Sequence, residues 1–324
     1  MKAKLKVFLN TIGLLGSIQR VRNVFRSPIA PRDAAVKWAR NLGVILEFGD
    51  QIVVRKLNRE IRINSKHEVY LSDMVNYFDY YYGAVFSKRG SNGVECVDYS
   101  RPGLHRLKMS GVEFEFSSLP ESDESTEVYM TALKLTRGDI VLDLGAYCGA
   151  SSYFMSKAVG PDGTVLSFEP DETNFRYLQK NCARHNLTNV RPVDKGVRSE
   201  TKSLEFQVEG NMGSSVVSVL GRNSNVKLVE VVSLNDAVKL AEKESARIAA
   251  IKMDIEGAEV AVLKSAGDFL QRHKPRLVIE PHFINGRICT KEICKLLRGY
   301  GYSVQLLNQG IQNWQLIAAS PTVR

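Results

Sequence analysis

Two glycines and two acids in the middle of the chain have the types and the spacing that nucleoside binding requires. Asp143 stands near the end of an apolar run, and Gly145 and Gly149 follow it before a helical pattern begins. Glycine at such a turn lets the backbone approach a ligand closely, and the first N–H groups of the next helix can donate to it. Farther along, Glu169 closes a second apolar run, where an acid can accept hydrogen bonds from both hydroxyls of a ribose. Together the four residues predict a site for adenosine.

The spacing of the glycines favours S-adenosylmethionine (SAM) over a dinucleotide. A dinucleotide turn has the pattern G-x-G-x-x-G, whereas Gly145 and Gly149 are separated by Ala146, Tyr147 and Cys148. A ligand with an adenosine but no pyrophosphate fits this turn, and in SAM a methionyl group takes the place of the phosphates. An NAD-type oxidoreductase shares the strand, the turn and the ribose acid, so it stays open as an alternative. A structural βα corner without a ligand is the other.

Further acids stand where other strands are expected to end. Ligands of parallel sheets bind outside the carboxyl ends of the strands, and a carboxylate beside a buried sheet needs a partner to offset its lost hydration. Acids at several strand ends therefore indicate a binding site rather than a purely structural sheet. Besides Asp143 and Glu169, the residues expected at these ends are Asp194, Asp254, Glu256, Glu280 and His282.

One half of the predicted site would hold the cofactor. The glycine turn would bind the methionyl end of SAM, Glu169 the ribose and Asp194 the amino group of the adenine. The residues predicted to bind SAM are Asp143, Gly145, Ala146, Tyr147, Gly149, Glu169, Pro170 and Asp194.

The other half would face the methyl acceptor. Asp254 and His282 are the candidates for accepting the proton that an acceptor hydroxyl loses during methyl transfer. Each has a structural alternative, because Asp254 could cap a helix that begins near Glu256 and His282 could be a structural histidine. Glu259, one turn into that helix, is expected to be structural.

Three of these residues could also hold a metal. Asp254, Glu280 and His282 supply oxygen and nitrogen donors from two adjacent strand ends, and such a set suits a magnesium ion that chelates a hydroxylated substrate. The spacing of the three residues along the chain does not demand a metal. The sequence therefore predicts none.

An alternation of strands and helices from residue 140 onward would place these residues at one edge of a sheet. The alternation is typical of an α/β fold with a doubly wound, mostly parallel sheet, here of seven strands. The predicted parallel strands are 140–144, 164–168, 189–193, 248–253 and 276–280; the closing antiparallel pair is 302–307 and 314–318; an inserted hairpin lies at 204–208 and 214–220, followed by a strand at 227–232 and a helix at 234–245.

The chain before residue 118 is predicted to form a small α+β region over 27–117. An aromatic cluster between residues 70 and 86 predicts either core or a surface that stacks on sugar rings, and core is favoured. Residues 118–126 are polar and acidic and predict a linker that opens the methyltransferase domain at 118–324. The elements predicted here are a helix at 32–42, strands at 44–48 and 52–57, a three-strand meander at 94–97, 104–108 and 112–116, and a helix at 127–135.

The composition is that of a globular protein, and its charge is unevenly placed. Of the 324 residues, 44% are hydrophobic and 24% are charged. Residues 1–110 hold 19 lysines and arginines against 9 acids, whereas residues 111–324 hold 25 against 26. A domain that binds nucleic acid carries positive charge near its site, so no nucleic-acid partner is expected. The five cysteines include no C-x-x-C pair, which predicts neither a disulfide framework nor a zinc site and favours the cytoplasm.

Residues 1–26 hold six basic residues and no acid around the mildly apolar segment 7–18. That segment is too short and too polar to span a bilayer, and no cleavage site of a signal peptide follows it. The pattern predicts a basic amphipathic helix. Such a helix either packs on the protein or makes peripheral contact with an anionic membrane, here the inner face, and the first is favoured because the pattern is unspecific.

Four segments carry a family resemblance. They are Val-Leu-Asp-Leu-Gly-Ala-x-x-Gly at 141–149, Phe-Glu-Pro at 168–170, Ile-Lys-Met-Asp-Ile-Glu-Gly-Ala-Glu at 251–259 and Lys-Pro-Arg-Leu-Val-Ile-Glu-Pro-His at 274–282. In these segments the chain resembles the FkbM family of SAM-dependent methyltransferases, and the last two are the more specific. The family usually has a small polar residue where this chain has Tyr147 and Cys148. The resemblance implies a Rossmann-like class I methyltransferase fold with SAM as the cofactor.

The residues and the resemblance together predict a SAM-dependent O-methyltransferase. Its acceptor would be a hydroxyl of a sugar, a glycan or a similar small polar molecule. The alternatives are the NAD-type oxidoreductase and a catalytically inactive methyltransferase fold that assembles at a membrane surface through its basic N-terminus. The acids at the strand ends argue against the inactive protein, and the oligomeric state is not predicted.

Overall fold

The computed structural model describes residues 31–86, 88–89, 93–207, 215–216, 226–241, 247–284, 287–309 and 314–322. The amphipathic helix predicted for residues 1–26 lies outside these ranges and stays a prediction. Inside them, no helix is both long and apolar enough to cross a membrane.

The N-terminal region is a small α+β unit. Its strands are β1 (Ile45–Phe48), β2 (Gln51–Lys56), β3 (Arg59–Asn64), β4 (Lys88–Arg89), β5 (Glu95–Tyr99), β6 (Gly103–Arg106) and β7 (Glu113–Phe116). The first five form one sheet in the order β1-β2-β3-β5-β4, and β6 pairs with β7. The helices are Pro31–Leu42, a 3₁₀ helix at Ser65–Tyr70, Leu71–Asn76 and Phe78–Gly83.

The predicted meander of three consecutive strands is wrong. β5 lies parallel to β3, with Val97 opposite Ile61 and Tyr99 opposite Ile63. All four side chains are buried. A strand takes the register that buries its apolar face, so β5 joins the five-stranded sheet and leaves β6 and β7 as a separate pair.

The N-terminal region shares one hydrophobic core with the glycine turn. Most of the aromatic cluster between residues 70 and 86 lies in this shared core, where Phe78 is only 1% exposed. The interpretation of these buried rings as a sugar-stacking surface is therefore wrong. The residues that enter the shared core from beyond the N-terminal region are Leu119, Tyr147, Cys148, Ala150 and Tyr177.

Residues 118–126 are not a linker. Ser122 caps the helix Asp123–Leu133 through its side chain, so this helix begins four residues earlier than predicted. Ser125 is buried and exchanges a hydrogen bond of 2.8 Å with the hydroxyl of Tyr80. A polar segment can be buried in this way when distant parts of the chain form hydrogen bonds with its side chains.

The central sheet begins after this helix. The remaining strands are β8 (Ile140–Leu144), β9 (Thr164–Phe168), β10 (Val190–Val193), β11 (Gly196–Arg198), β12 (Lys202–Gln207), β13 (Ser215–Val216), β14 (Val226–Ser233), β15 (Ile248–Met253), β16 (Arg276–Ile279), β17 (Phe283–Ile284), β18 (Arg287–Ile288), β19 (Tyr302–Gln309) and β20 (Trp314–Pro321). The helices between them are Ala150–Val159, Glu172–Arg184, Leu234–Lys239, Glu259–Ser265, Gly267–His273 and Thr290–Gly299. The helix predicted at 234–245 thus ends at Lys239, and residues 242–246 lie outside the described ranges.

The predicted seven-stranded, mostly parallel sheet is confirmed. Its order is β10-β9-β8-β15-β16-β20-β19, in which β19 and β20 form the antiparallel closing pair. The inserted hairpin belongs to a second sheet in the order β11-β14-β12-β13. In the large sheet the chain runs from β8 outward to β10 and then crosses back to β15. This reversal creates a crevice at the carboxyl ends of β8 and β15, where ligands of such sheets bind.

Candidate functional site

The glycine turn, residues 145–149, connects β8 to the helix Ala150–Val159. Gly145 has a φ of 80°, Tyr147 of 49° and Gly149 of 88°. These left-handed angles are free of strain for glycine but not for tyrosine. The contacts that the Tyr147 side chain makes in the shared core must therefore compensate for the strain of its backbone.

Three backbone N–H groups of the turn donate hydrogen bonds to the protein itself. Those of Gly145 and Ala146 both donate to the carbonyl of Phe168, at 3.0 and 2.9 Å, and that of Gly149 donates to Ala146. The sequence predicted that the first N–H groups of the next helix would donate to a ligand, and that helix begins only after these three donors, at Ala150. They tie the turn to the end of β9, so the three residues shape the site rather than donate to a ligand.

Glu169 follows β9 and is bonded to the turn. Its carboxylate accepts the N–H groups of Tyr147 and Asp171, both at 2.9 Å. The residue is 6% exposed, and burial raises the pKa of Glu169 to about 8. The side chain of Asn174 is a third hydrogen-bond partner of this group. A carboxylate has about four lone-pair sites, so Glu169 can still accept a hydroxyl.

Asp143 is an internal residue. Its carboxylate is fully buried and accepts the hydroxyls of Ser151 and Ser152 at 2.8 and 2.6 Å. The ammonium of Lys252 lies 3.4 Å away. Because these partners enclose it, the prediction that Asp143 contacts the cofactor is not supported. It fixes the helix after the turn to the sheet.

Lys252 is a buried cation that was missed in the sequence. It stands in β15 opposite Asp143, and its ammonium donates to the carbonyl of Gly145 at 2.6 Å. It also lies 3.6 Å from Asp254. Burial opposes its charge, but the two carboxylates outweigh burial and raise the pKa of Lys252 above its ordinary value. A lysine is rarely buried unless it is paired. Its position inside an apolar strand was therefore the feature of the sequence that could have indicated a buried ion pair.

Gly145 also brings the two halves of the site together. A β-carbon placed on Gly145 would lie 1.8 Å from the carbonyl oxygen of Asp254. No side-chain adjustment relieves such an overlap, because the neighbour is backbone. Only glycine lets the turn touch the end of β15.

Gly145→Ala is therefore expected to destabilise the protein much more than Gly138→Ala. Both positions have left-handed angles, 80° and 83°, and that strain costs about 1 to 3 kcal/mol. Gly138 has no atom within 4 Å of its would-be β-carbon, so its variant carries the strain alone. Urea unfolding of both variants measures the difference. Equal losses of stability would show that the contact with Asp254 does not matter.

Asp254 and His282 come together at the ends of β15 and β16. The imidazole Nε2 lies 3.5 Å from Asp254 Oδ1 and 3.6 Å from Glu256 Oε2. Its Nδ1 lies 2.8 Å from an oxygen of Glu259. Burial opposes protonation, but the surrounding carboxylates, Glu256 first, raise the pKa of His282 well above its usual value. The imidazole is therefore held as a cation at neutral pH in this arrangement.

The two structural alternatives for Asp254 and Glu259 need correction. The helix after β15 begins at Glu259, with no side-chain cap, so Asp254 is not a helix cap. Glu259 is fully buried, and its carboxylate accepts the N–H groups of Ile255 and Gly257 besides holding His282. It therefore orients a residue of the site.

Two more acids lie close to this pair. The hydroxyl of Tyr129 donates to Glu280 at 3.1 Å, and burial together with Asp254 raises the pKa of Glu280 to about 8. Glu121 accepts the N–H of Ser151, and burial raises the pKa of Glu121 to about 7. Glu121 was missed because it falls in the segment predicted as a linker. The site thus holds several buried acids whose ionised forms a positively charged ligand would favour.

The remaining predicted cofactor residues lie on the opposite side of the turn. Asp194 directly follows β10 and is exposed. Pro170 follows Glu169, and a β-carbon on Gly196 would touch it at 3.6 Å. By the order of the strands, β9 and β10 lie on one side of β8, and β15 and β16 on the other. Glu169, Pro170 and Asp194 therefore lie on one side of the turn, and Asp254 and His282 lie on the other. A site with one half for the cofactor and one half for the acceptor needs such a separation.

A protein-family model matches the part of the chain that contains the site. The model described as the methyltransferase FkbM domain matches residues 143–304. The matched span begins at Asp143 and includes the glycine turn, Glu169, Asp254 and His282. It therefore contains both halves of the site.

The chain is also similar to curated proteins and solved structures that are named as methyltransferases. The tRNA (adenine(58)-N(1))-methyltransferase catalytic subunit TRM61 of Yarrowia lipolytica is 27% identical over 135 residues, 40% of this chain and 34% of that protein. Its counterpart in Cryptococcus neoformans is 36% identical over 73 residues, 22% of this chain and 17% of that protein. The chain thus spans about a third or less of these relatives.

Among solved structures, methyltransferase FkbM from Methylobacillus flagellatus KT is 17% identical with a TM-score of 0.44, over 88% of this chain and 58% of that one. A SAM-dependent methyltransferase from Aquifex aeolicus is 14% identical with a TM-score of 0.36, over 60% of this chain and 88% of that one.

Proposed function

The chain belongs to the FkbM methyltransferase domain family, whose model matches residues 143–304, and on that premise we propose that it methylates a hydroxyl of a small polar molecule. It is a SAM-dependent methyltransferase, which decides against the NAD-type oxidoreductase. The acceptor we propose is a sugar, a glycan or a similar molecule. The observation that carries the proposal is that Asp254 and His282 lie 3.5 Å apart beside the glycine turn.

The cofactor half suits SAM. When bound, SAM supplies a methyl group on a positively charged sulfur. Glu169 would accept a ribose hydroxyl and Asp194 the adenine amino group, in the roles that the sequence predicted for them. The methionyl end, which carries an ammonium, would lie at the glycine turn near Glu121, whose carboxyl is bonded to Ser151. The acids of the site suit a ligand that carries positive charge on its sulfur and on its ammonium better than one with phosphates.

On the acceptor half, Asp254 would accept the proton that the acceptor hydroxyl loses. Its side chain is 28% exposed and that of His282 is 14% exposed, so an acceptor reaches Asp254 more easily. His282 already carries a proton at neutral pH because of its raised pKa. It would therefore act as a cation that orients Asp254, rather than as a second proton acceptor.

The charge of the site favours a small acceptor over RNA. The curated relatives are named for tRNA, but residues 111–324 of this chain hold 26 acids against 25 basic residues. The edge of the sheet that would face the acceptor carries Asp254, Glu256 and Glu280. Phosphates would be repelled there, whereas neutral hydroxyls can donate hydrogen bonds to carboxylates.

Transfer of a labelled methyl group tests the proposal. The purified chain would be incubated with methyl-labelled SAM and separate pools of small glycans, free sugars and bulk tRNA. We expect label in the glycan or sugar pool, in a linkage that survives alkali, because an O-methyl ether resists hydrolysis and a methyl ester does not. Label found only in tRNA would overturn the proposed acceptor.

Glu169→Ala is expected to weaken SAM binding by about 1.5 to 3 kcal/mol, the usual contribution of hydrogen bonds to a charged group. Glu172→Ala is the matched control, because this nearby acid is 77% exposed and pairs with Lys227 at the surface. Calorimetry with SAM measures both variants. Equal affinities in folded Glu169→Ala and wild type would refute the role of Glu169.

The affinity for SAM should also depend on pH through the same residue. Burial raises the pKa of Glu169 to about 8 without the ligand, and ribose hydroxyls donate to the ionised form. SAM should therefore bind more tightly as the pH rises toward about 8, with release of a proton. Glu169→Gln should bind SAM with no such pH dependence.

A further inference from the structure

We propose that Asp254, Glu280 and His282 bind a divalent cation such as Mg²⁺ or Mn²⁺. One ligand atom from each residue lies within 4.8 Å of the other two. Ligands on the same cation at about 2.1 Å are about 3 Å apart, so small rotations of the three side chains would close the set. Two carboxylates and one imidazole are a donor set that suits these cations.

The backbone fixes the three residues at neighbouring strand ends. The N–H of Asp254 donates to Leu144 at 3.0 Å, and that of Glu280 donates to Met253 at 2.9 Å. Both residues therefore continue the hydrogen bonding of the sheet, and His282 follows two positions later. Ligands on rigid elements hold a cation with less loss of entropy than ligands on loops do.

His282 is oriented as a metal-binding histidine is. Its Nδ1 is bonded to the fully buried carboxylate of Glu259 at 2.8 Å, which leaves Nε2 directed at Asp254. A metal ion at Nε2 would displace the proton that the imidazole carries in its absence. In metal sites a histidine ligand nearly always uses its second nitrogen to bond such an outer carboxylate or carbonyl. Glu259 is not itself one of the three ligands, so this observation is independent of the cluster.

The balance of charge around the cluster also favours a cation. Besides the three ligands, the acids Glu121 and Asp143 lie in the same buried region, beside Lys252. A divalent cation would favour the ionised forms of these acids. If the proposed O-methyl transfer holds, the cation would in addition lower the pKa of a bound acceptor hydroxyl. Asp254 has two oxygens and can share one of them with the cation.

Binding of Mn²⁺ alone tests the site without any acceptor. The full chain, freed of metal with a chelator and desalted, would be titrated with Mn²⁺ while the free ion is followed by electron paramagnetic resonance. We expect one Mn²⁺ per chain and a nitrogen coupling from His282 that is lost in His282→Gln. Glu259→Gln should weaken binding about 10- to 100-fold, and Asp254→Asn should weaken it as well.

Asp268→Asn is the matched control, since this acid is exposed on the helix Gly267–His273 and should leave Mn²⁺ affinity unchanged. Circular dichroism and SAM binding establish that each variant is folded. The proposal is overturned if wild type binds no stoichiometric Mn²⁺, or if the His282, Asp254 and Glu259 variants all bind it as wild type does. Mn²⁺ binding without O-methyl transfer would contradict the proposed function and leave the cation site standing.

Discussion

Asp254→Asn should lower kcat about 10²- to 10⁴-fold, the usual contribution of a positioned proton acceptor. Asparagine keeps the shape of the side chain but cannot take up the proton. SAM affinity should stay near that of wild type, because Glu169 and the residues of β9 and β10 lie on the other side of the turn. Steady-state kinetics with the acceptor found in the labelling experiment measures kcat, and calorimetry measures the affinity.

The pH profile of kcat separates Asp254 from His282 as the proton acceptor. The carboxylates around it raise the pKa of His282 well above its usual value, so a rate that needs neutral His282 would climb on the alkaline side of neutrality. With Asp254 as the acceptor we expect no such climb. Asp268→Asn is the exposed control and should keep the wild-type rate. Turnover of Asp254→Asn at the wild-type rate would contradict the assignment of Asp254 as the proton acceptor.

Lys252→Met should lower the free energy of unfolding by about 3 to 5 kcal/mol, the cost of removing one partner from a buried ion pair. Methionine fills a similar volume but leaves Asp143 without its cation at 3.4 Å, in a place with no exposure to water. Urea unfolding measures the loss. Adding Asp143→Asn to the same chain should restore part of it, because the unpaired charge is then gone as well.

Lys264→Met is the control for this experiment. Lys264 pairs with Glu292 at 2.7 Å, but both side chains are more than half exposed, and exposed ion pairs contribute less than about 1 kcal/mol. If the two lysine variants lose equal stability, burial of the Lys252 pair has no special importance.

The central sheet could be predicted because its signals are local. β8 and β15 are apolar runs bounded by turns, and the acids after them follow the general rule for ligands of parallel sheets. The five parallel strands and the closing pair are confirmed to within a few residues. The pairing of β5 with β3 was missed, because it depends on which apolar face is buried and not on nearness in the sequence.

The interior of the site was harder to predict because its partners are far apart in the chain. Glu259 and His282 are 23 residues apart, with no periodic pattern that connects them. The segment with Glu121 looks like a linker by composition, since only the folded structure supplies partners such as Tyr80 for its polar side chains. Lys252 differs from these, because an isolated lysine in an apolar strand already indicates a buried partner.

The shared core determines the order in which the protein can fold during its synthesis. The ribosome releases β1 to β7 before Tyr147, Cys148 and Ala150, and Tyr177 comes later still. Until these residues emerge, the aromatic rings around Phe78 lack the side chains that seal them from water. Exposed apolar surface of this kind makes a nascent chain prone to aggregate and to bind chaperones. The N-terminal region therefore reaches its native packing only after the first turn of the catalytic sheet has left the ribosome.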